Sequence, residues 1–118
     1  VLGLAFKHGT DDTRESPSLA VVERLLAKGA MVRGYDPKVK TIDYPSVELF
    51  ERAEDACVGA DAAMICVNWY EFVRIGWSKV TETMRTPLII DGRRMVGLDD
   101  RPNGSNFRYV QIGIMPSD

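Results

Sequence analysis

Val1-Leu2-Gly3-Leu4-Ala5-Phe6, followed by Lys7-His8-Gly9-Thr10-Asp11-Asp12-Thr13-Arg14-Glu15-Ser16-Pro17, is the stretch that decides the fold. An apolar run that reads as a strand passes into a polar loop, and the loop runs into a helix start. Ser16 is placed to cap that helix and Pro17 suits its first turn. Leu19, Val22, Leu25 and Leu26 then recur at helical spacing across Ser18 to Lys28 before Gly29 ends the pattern. The loop crowds two cations, three acids, two threonines and a glycine into one strand-to-helix connection. Ligands of open α/β sheets lie in the crevice beyond the carboxyl ends of the strands, so charge placed here has a use that charge elsewhere lacks.

Outward from this stretch, apolar runs alternate with helical patterns. Ala30 to Tyr35 reads as a second strand closed by Asp36-Pro37, and Val39 to Pro45 as irregular chain or a short edge strand. Ser46 is placed to cap a helix from Val47 to about Val58. Asp61 to Val67 is almost wholly apolar, the pattern of a strand buried on both faces. Trp69 to Met84 reads as helix broken at Gly76. Leu88 to Asp91 is the next strand, Gly92 to Gly104 a long polar loop, and Phe107 to Ile112 the last strand. This alternation is the βαβ signature, and right-handed crossovers turn it into a Rossmann-like three-layer αβα sandwich with a mainly parallel sheet. One domain over residues 1–118 is expected, with the first strand at the centre of the sheet. A chain that begins flush with a core element reads as a domain excised from something longer.

Composition sets the outer bounds. With 118 residues, 45% hydrophobic and 27% charged, the chain suits one compact soluble domain with a substantial core. A formal net charge of -2 argues against a nucleic-acid or membrane surface, since both normally need a basic face. No apolar run reaches the roughly 18 residues of a membrane span, and no basic leader or cleavage site marks a signal peptide. The default compartment is the cytoplasm. Cys57 and Cys66 lack metal-ligand spacing and read as small buried hydrophobes, and the single histidine, His8, as a solvated loop residue; no metal is expected.

Two phosphate-binding motifs are absent. A dinucleotide fingerprint needs G-x-G-x-x-G in a tight strand-to-helix turn, whereas Gly3 and Gly9 lie six residues apart with a long polar connection beyond them. A P-loop sequence is also missing. A second glycine-arginine element, Ile89-Ile90-Asp91-Gly92-Arg93-Arg94, follows a later strand. If that strand lies near the first, Lys7, Arg14, Arg93 and Arg94 share one rim, and arginine forks suit an anionic ligand. The same charges are compatible with a solvated surface in which Asp11, Asp12 and Glu15 pair with Lys7 and Arg14. Trp69, Tyr70 and Phe72 are open to two readings, a stacking surface for a base or plain core.

The run Gly3-Leu4-Ala5-Phe6-Lys7-x-Gly9-Thr10-Asp11-Asp12-x-Arg14-Glu15-Ser16-Pro17 closely resembles the opening of the C-terminal domain of the UDP-glucose/GDP-mannose dehydrogenases. Asn68-Trp69-Tyr70-Glu71-Phe72 looks like that family's threonine-glutamate-tryptophan-x-x-phenylalanine segment, and Asp91-Gly92-Arg93-Arg94 like its DGR element. The three stand in the family's order, each after an expected strand. The resemblance implies the nucleotide-sugar-binding domain of an NAD-dependent UDP-sugar 6-dehydrogenase. Such an enzyme oxidises the C6 alcohol to a carboxylate with two NAD molecules in succession, through a catalytic cysteine. It further implies that an N-terminal domain holds NAD, that a helical segment forms the dimer core, and that this domain grips the nucleotide. By residue match, Phe6 and Lys7 contact the nucleotide sugar, Arg93 reaches substrate from an adjacent subunit, and Arg14 approaches NAD. His8 stands where proline or lysine is common, and Asn68 where glutamate is common. Neither Cys57 nor Cys66 matches the catalytic cysteine motif, so the chain is expected to bind without catalysing. The rival readings are a non-catalytic Rossmann-like interaction module, or the matching domain of a GDP-mannose or UDP-N-acetyl-hexosamine 6-dehydrogenase.

Overall fold

The computed structural model describes residues 1–95 and 107–112. Its elements are helix α1 (Pro17–Ala27), strands β1 (Arg33–Gly34) and β2 (Glu48–Leu49), and helix α2 (Ala53–Cys57). Strand β3 (Ala63–Ile65), a 3-10 turn over Tyr70–Arg74 and helix α3 (Trp77–Glu82) follow, and then strands β4 (Leu88–Asp91) and β5 (Arg108–Gln111). Every strand pair is parallel: Gly34 lies opposite Leu49, Ile65 opposite Asp91, and Asp91 opposite Gln111.

The N-terminal segment joins the two groups of strands. Leu2 bridges in parallel to Tyr35 on one side and to Ile65 on the other. Its amide donates to the Met64 carbonyl at 2.8 Å and its carbonyl accepts from the Cys66 amide at 2.8 Å, while the Gly3 amide donates to the Tyr35 carbonyl at 2.8 Å. The order across the sheet is therefore β2, β1, the N-terminal segment, β3, β4, β5. Counted in chain order with the segment first, this is 3-2-1-4-5-6, the doubly wound order, and its topological switch point lies between the segment and β3. The expected parallel α/β architecture and the central place of the first strand are both present.

The expected strand from Val1 to Phe6 contracts to that bridge at Leu2 because of Gly3. Its φ is +96°, a left-handed conformation, and a Cβ built there would lie 2.6 Å from the Cβ of Val67, so only glycine fits. The twist ends the ladder and separates the side chains of Leu2 and Leu4. Leu4 and Ala5 join the cluster under α1 with Val22, Val32 and Val47, while Leu2 joins Ile65, Phe72, Trp77 and Ile89, the cluster that α2 and α3 cover.

Other expectations need correction. Val47 to Val58 is not one helix: β2 occupies Glu48–Leu49 and only Ala53–Cys57 is α-helical, so Ser46 caps nothing. The amides of Glu48 and Phe50 donate to the Val32 and Gly34 carbonyls at 3.4 and 2.9 Å, and Leu49 packs over the bare Cα of Gly34. Pairing with β1 thus outweighs local helix propensity. Ser16 precedes α1 as expected, but its hydroxyl makes no cap; it donates to the carbonyls of Leu4 at 3.0 Å and Ala5 at 3.3 Å, tying the helix start to the strand end. The Asp61–Val67 run is buried fully on one face only, with Ala63, Ile65 and Val67 buried and Met64 and Cys66 half-buried. The break at Gly76 is observed, between the 3-10 turn and α3. The expected loop over Gly92–Gly104 lies outside the described residues beyond Met95. Among the described residues no helix is long and apolar enough to cross a membrane.

Candidate functional site

The carboxyl ends of the central strands carry most of the residues singled out in the sequence. Leu2 neighbours Ile65, and Ile65 neighbours Asp91, so the chain leading to Lys7 and the chain leading to Arg93 flank β3 on either side. They are second neighbours in the sheet, about 10 Å apart at the strand spacing. Phe6, Lys7, His8 and Gly9 are exposed at this rim. Phe6 keeps 47% of its surface accessible, while its backbone amide donates to the Asp12 carbonyl.

Arg14 is not a free cation. Its guanidinium meets the Asp12 carboxylate through three contacts at 2.8, 3.0 and 3.2 Å, and its backbone amide donates to the same carboxylate at 2.9 Å. This hydrogen bonding holds the Asp12 carboxyl down at about 2 and raises Arg14. The two are solvent-facing, Arg14 with 88% of its side chain accessible. The reading of the loop as internally paired surface charge therefore holds for Arg14 and Asp12. Among the described residues, no ion pair engages Lys7.

The turn after β4 is built around a buried acid. Asp91 is fully buried, and its carboxylate accepts from the amides of Arg93 and Met95, each at 2.8 Å, and from the Tyr109 hydroxyl. The bonds coil residues 91–95 into a tight turn in which Arg94 takes a φ of +54°. Gly92 sits against the Ile65 carbonyl, where a Cβ would approach to 3.0 Å. Arg93 and Arg94 are exposed beyond it. The parts of the Asp91-Gly92-Arg93-Arg94 element thus do different things: the acid shapes the turn, the glycine clears space, and the arginines face outward.

A second buried acid, Asp36, reads from the sequence only as the end of a strand. It is 2% exposed and accepts five hydrogen bonds. One oxygen takes the Leu4 and Ala5 amides at 2.8 and 3.0 Å and the Trp69 indole N–H at 3.1 Å; the other takes the Lys38 and Val39 amides at 2.8 and 2.9 Å. The signal available in the sequence is an acid directly after an apolar run and before proline, where an Asx-type turn is favoured.

The aromatic segment divides between its two readings. Phe72 is fully buried and Trp69 half-buried, while Tyr70 is 71% exposed. Phe72 meets Tyr35 edge to face with ring centroids 6.1 Å apart, and the Tyr35 hydroxyl donates to Glu71 at 2.6 Å. The buried side-chain oxygen of Asn68 has no hydrogen-bond partner among the described residues. The cysteines are interior groups: burial pushes the Cys57 thiol up to about 11 and raises Cys66 as well. Both stay protonated and poorly nucleophilic at neutral pH. A separate concavity of about 540 Å³ lies beside Arg74, Gly76, Trp77 and Phe107, and Phe6, Lys7, Arg14 and Arg93 do not line it.

Comparisons with known proteins agree on one family. Residues 1–98 match the UDP-binding domain of the UDP-glucose/GDP-mannose dehydrogenase family. The UDP-glucose 6-dehydrogenase of Rickettsia bellii is 36% identical over 118 residues, covering 96% of this chain, and that of Bacillus subtilis is 40% identical over 124 residues, covering 99%. The chain spans 27% and 28% of those relatives, about a quarter of their length. Among solved structures, the UDP-D-ManNAc dehydrogenase of Pyrococcus horikoshii superposes with a TM-score of 0.73 at 38% identity, covering 92% of this chain and 24% of that one. The NDP-N-acetyl-D-galactosaminuronic acid dehydrogenase of Methanosarcina mazei superposes at 0.75 and 30% identity, covering 95% and 23%.

Proposed function

The chain belongs to the UDP-glucose/GDP-mannose dehydrogenase family, as its UDP-binding domain, and from that premise we propose that it holds the nucleotide of a UDP-sugar while the remainder of a longer enzyme oxidises the sugar. The match over residues 1–98 carries the reading, because it spans the Phe6–Pro17 loop, the aromatic segment and the Asp91–Arg94 turn together. In this proposal Phe6 packs against the nucleotide sugar and Lys7 supplies a point charge to its phosphates. Arg93, held outward by the Asp91 turn, offers a planar fork to substrate across a subunit boundary, which makes a homo-oligomer the working assembly. Arg14, steadied by Asp12, faces the cofactor side.

NAD is the oxidant of this proposal, and it does not fit this chain's own switch point. A dinucleotide fold offers pyrophosphate the free amides that follow its first strand, whereas the Leu4 and Ala5 amides here are already bonded to Asp36. NAD is therefore assigned to another domain, with this chain contributing only Arg14 to it. The contribution of this chain is binding and orientation: anchoring the nucleotide by charge and stacking, and excluding water from one side of the sugar. The proposed compartment is the cytoplasm, and the product class is a nucleotide uronic acid of the kind consumed in polysaccharide synthesis.

The test is a titration of the folded chain, and of the full-length protein, with UDP, UDP-glucose and GDP-mannose, followed by amide shifts and calorimetry. Saturable binding of UDP and UDP-glucose, with shifts at Phe6, Lys7 and Arg93, is the expected result. No saturable binding of any nucleotide to either protein would favour an interaction module instead. UDP-N-acetyl-hexosamines belong in the same titration, because the solved structures similar to this chain include enzymes named for acetylated sugars, at 38% and 30% identity.

A further inference from the structure

The strongest unexplained feature is Asp36. It is a carboxylate buried to 2% with no cation beside it among the described residues, satisfied wholly by N–H donors from three separate pieces of chain. Burying an ionised acid is costly unless hydrogen bonds replace its water, and five such bonds do so here. A buried network of that kind is specific in geometry, because losing one acceptor leaves several amides unpaired at once.

What the network connects is the reason to assign it a role. Its Oδ2 atom takes the amides of Leu4 and Ala5, the two residues directly before Phe6 and Lys7, and the indole N–H of Trp69, on the chain leaving β3 across the switch point from them. Its Oδ1 atom takes Lys38 and Val39, which fixes the carboxylate itself to the chain leaving β1. Ser16 closes the arrangement from the other side by donating to the carbonyls of Leu4 and Ala5, so both the donors and the acceptors of those peptides are occupied. Gly3 allows the bend that brings the amides onto the acid. Phe6 and Lys7 emerge from this clamp into solvent.

We propose that Asp36 is a positioning residue of the nucleotide-sugar site, fixing the separation between the Phe6-Lys7 loop start and the Trp69-Tyr70 segment through one shared carboxylate oxygen. The assignment rests on the reading given under Proposed function and adds to it the group that sets the width of the crevice. Asp36 touches no ligand; it acts through the backbone of Leu4 and Ala5 and through the Trp69 ring.

The experiment is steady-state kinetics of the full-length dehydrogenase carrying Asp36→Asn, Trp69→Phe or Lys7→Ala, with folding followed by thermal melting. Asp36→Asn keeps the shape but turns an acceptor into a donor facing amide donors, and is expected to raise KM for the nucleotide sugar by about tenfold or more while leaving KM for NAD within about twofold. Trp69→Phe removes one donor and keeps an aromatic ring, and is expected to raise the same KM by about threefold. A residue that merely supports the fold would lower the active fraction, and hence apparent kcat, without moving KM. If Lys7→Ala raises the nucleotide-sugar KM while both other variants leave it unchanged, the role of Asp36 is refuted and the binding reading stands. Should Asp36→Asn fail to fold, Trp69→Phe decides alone by the same criterion. If Lys7→Ala also leaves KM unchanged, the binding reading falls and this role falls with it.

Discussion

The two arginine-bearing connections at the carboxyl rim are built in opposite ways. In the loop from Phe6 to Pro17 the acid that meets an arginine is at the surface: Asp12 holds the Arg14 guanidinium itself, in solvent. In the turn from Asp91 to Met95 the acid is fully buried and takes the backbone amide of Arg93, leaving the guanidinium exposed. Among the described residues no ion pair engages Arg93. An acid that grips the arginine's side chain shares its charge; one that grips the arginine's backbone shapes a turn and leaves the cation available. The difference gives a physical reason to assign Arg93 to substrate and Arg14 to a steadier, cofactor-facing post.

The largest way to break this contrast is to remove the buried acid. Asp91→Ala removes the shared acceptor of two partly buried amides and of the Tyr109 hydroxyl, and is expected to cost about 3 kcal/mol of unfolding free energy by denaturant titration, taking roughly 1 for each of the three hydrogen bonds lost. Asp12→Ala, its surface counterpart, should lower the unfolding midpoint far less than Asp91→Ala, since exposed pairs contribute little. Equal losses would erase the distinction between the two turns. A milder cut at the same place is Tyr109→Phe, which removes one donor from Asp91 and is expected to cost about 1 kcal/mol.

The smallest effect is a titration. Asp12 is held down at about 2, below its ordinary 3.8, so its pairing with Arg14 is complete above the ordinary carboxylate range and is lost as pH falls through about 2. Carboxyl carbon shifts followed by NMR should report that midpoint in the native chain and a higher one in Arg14→Ala, still below the ordinary value because the residue-14 backbone amide keeps its bond to the carboxylate. A native midpoint near 3.8 would show that the pair does not persist in solution, and the contrast between Arg14 and Arg93 would narrow.

Much of this is legible in the sequence because the deciding signals are local. The Phe6–Pro17 loop, the break at Gly76 and the apolar Leu88–Asp91 run all depend on neighbouring residues, and so does the βαβ alternation that places the rim. The pieces that differ from expectation depend on partners distant in sequence. Glu48–Leu49 becomes a strand only because β1 offers carbonyls at Val32 and Gly34, and Ser16 abandons its cap because its hydroxyl is drawn to the Leu4 and Ala5 carbonyls. On paper Asp36 closes one strand and Asp91 ends another, yet burial and donors beyond their strands make them the groups that hold the rim in shape. Such acids show no periodicity, whereas clustered cations stand out by composition alone.

The central claim is that the two arginines serve different ligands, and it is tested most directly by measuring both Michaelis constants for Arg93→Ala and Arg14→Ala in the full-length enzyme. Arg93→Ala is expected to raise KM for the nucleotide sugar about tenfold or more, from about 1.5 to 3 kcal/mol for a lost charged hydrogen bond, with KM for NAD unchanged. Arg14→Ala should instead raise KM for NAD and spare the nucleotide sugar. Both constants unmoved by either variant, or the two effects exchanged, would contradict the account.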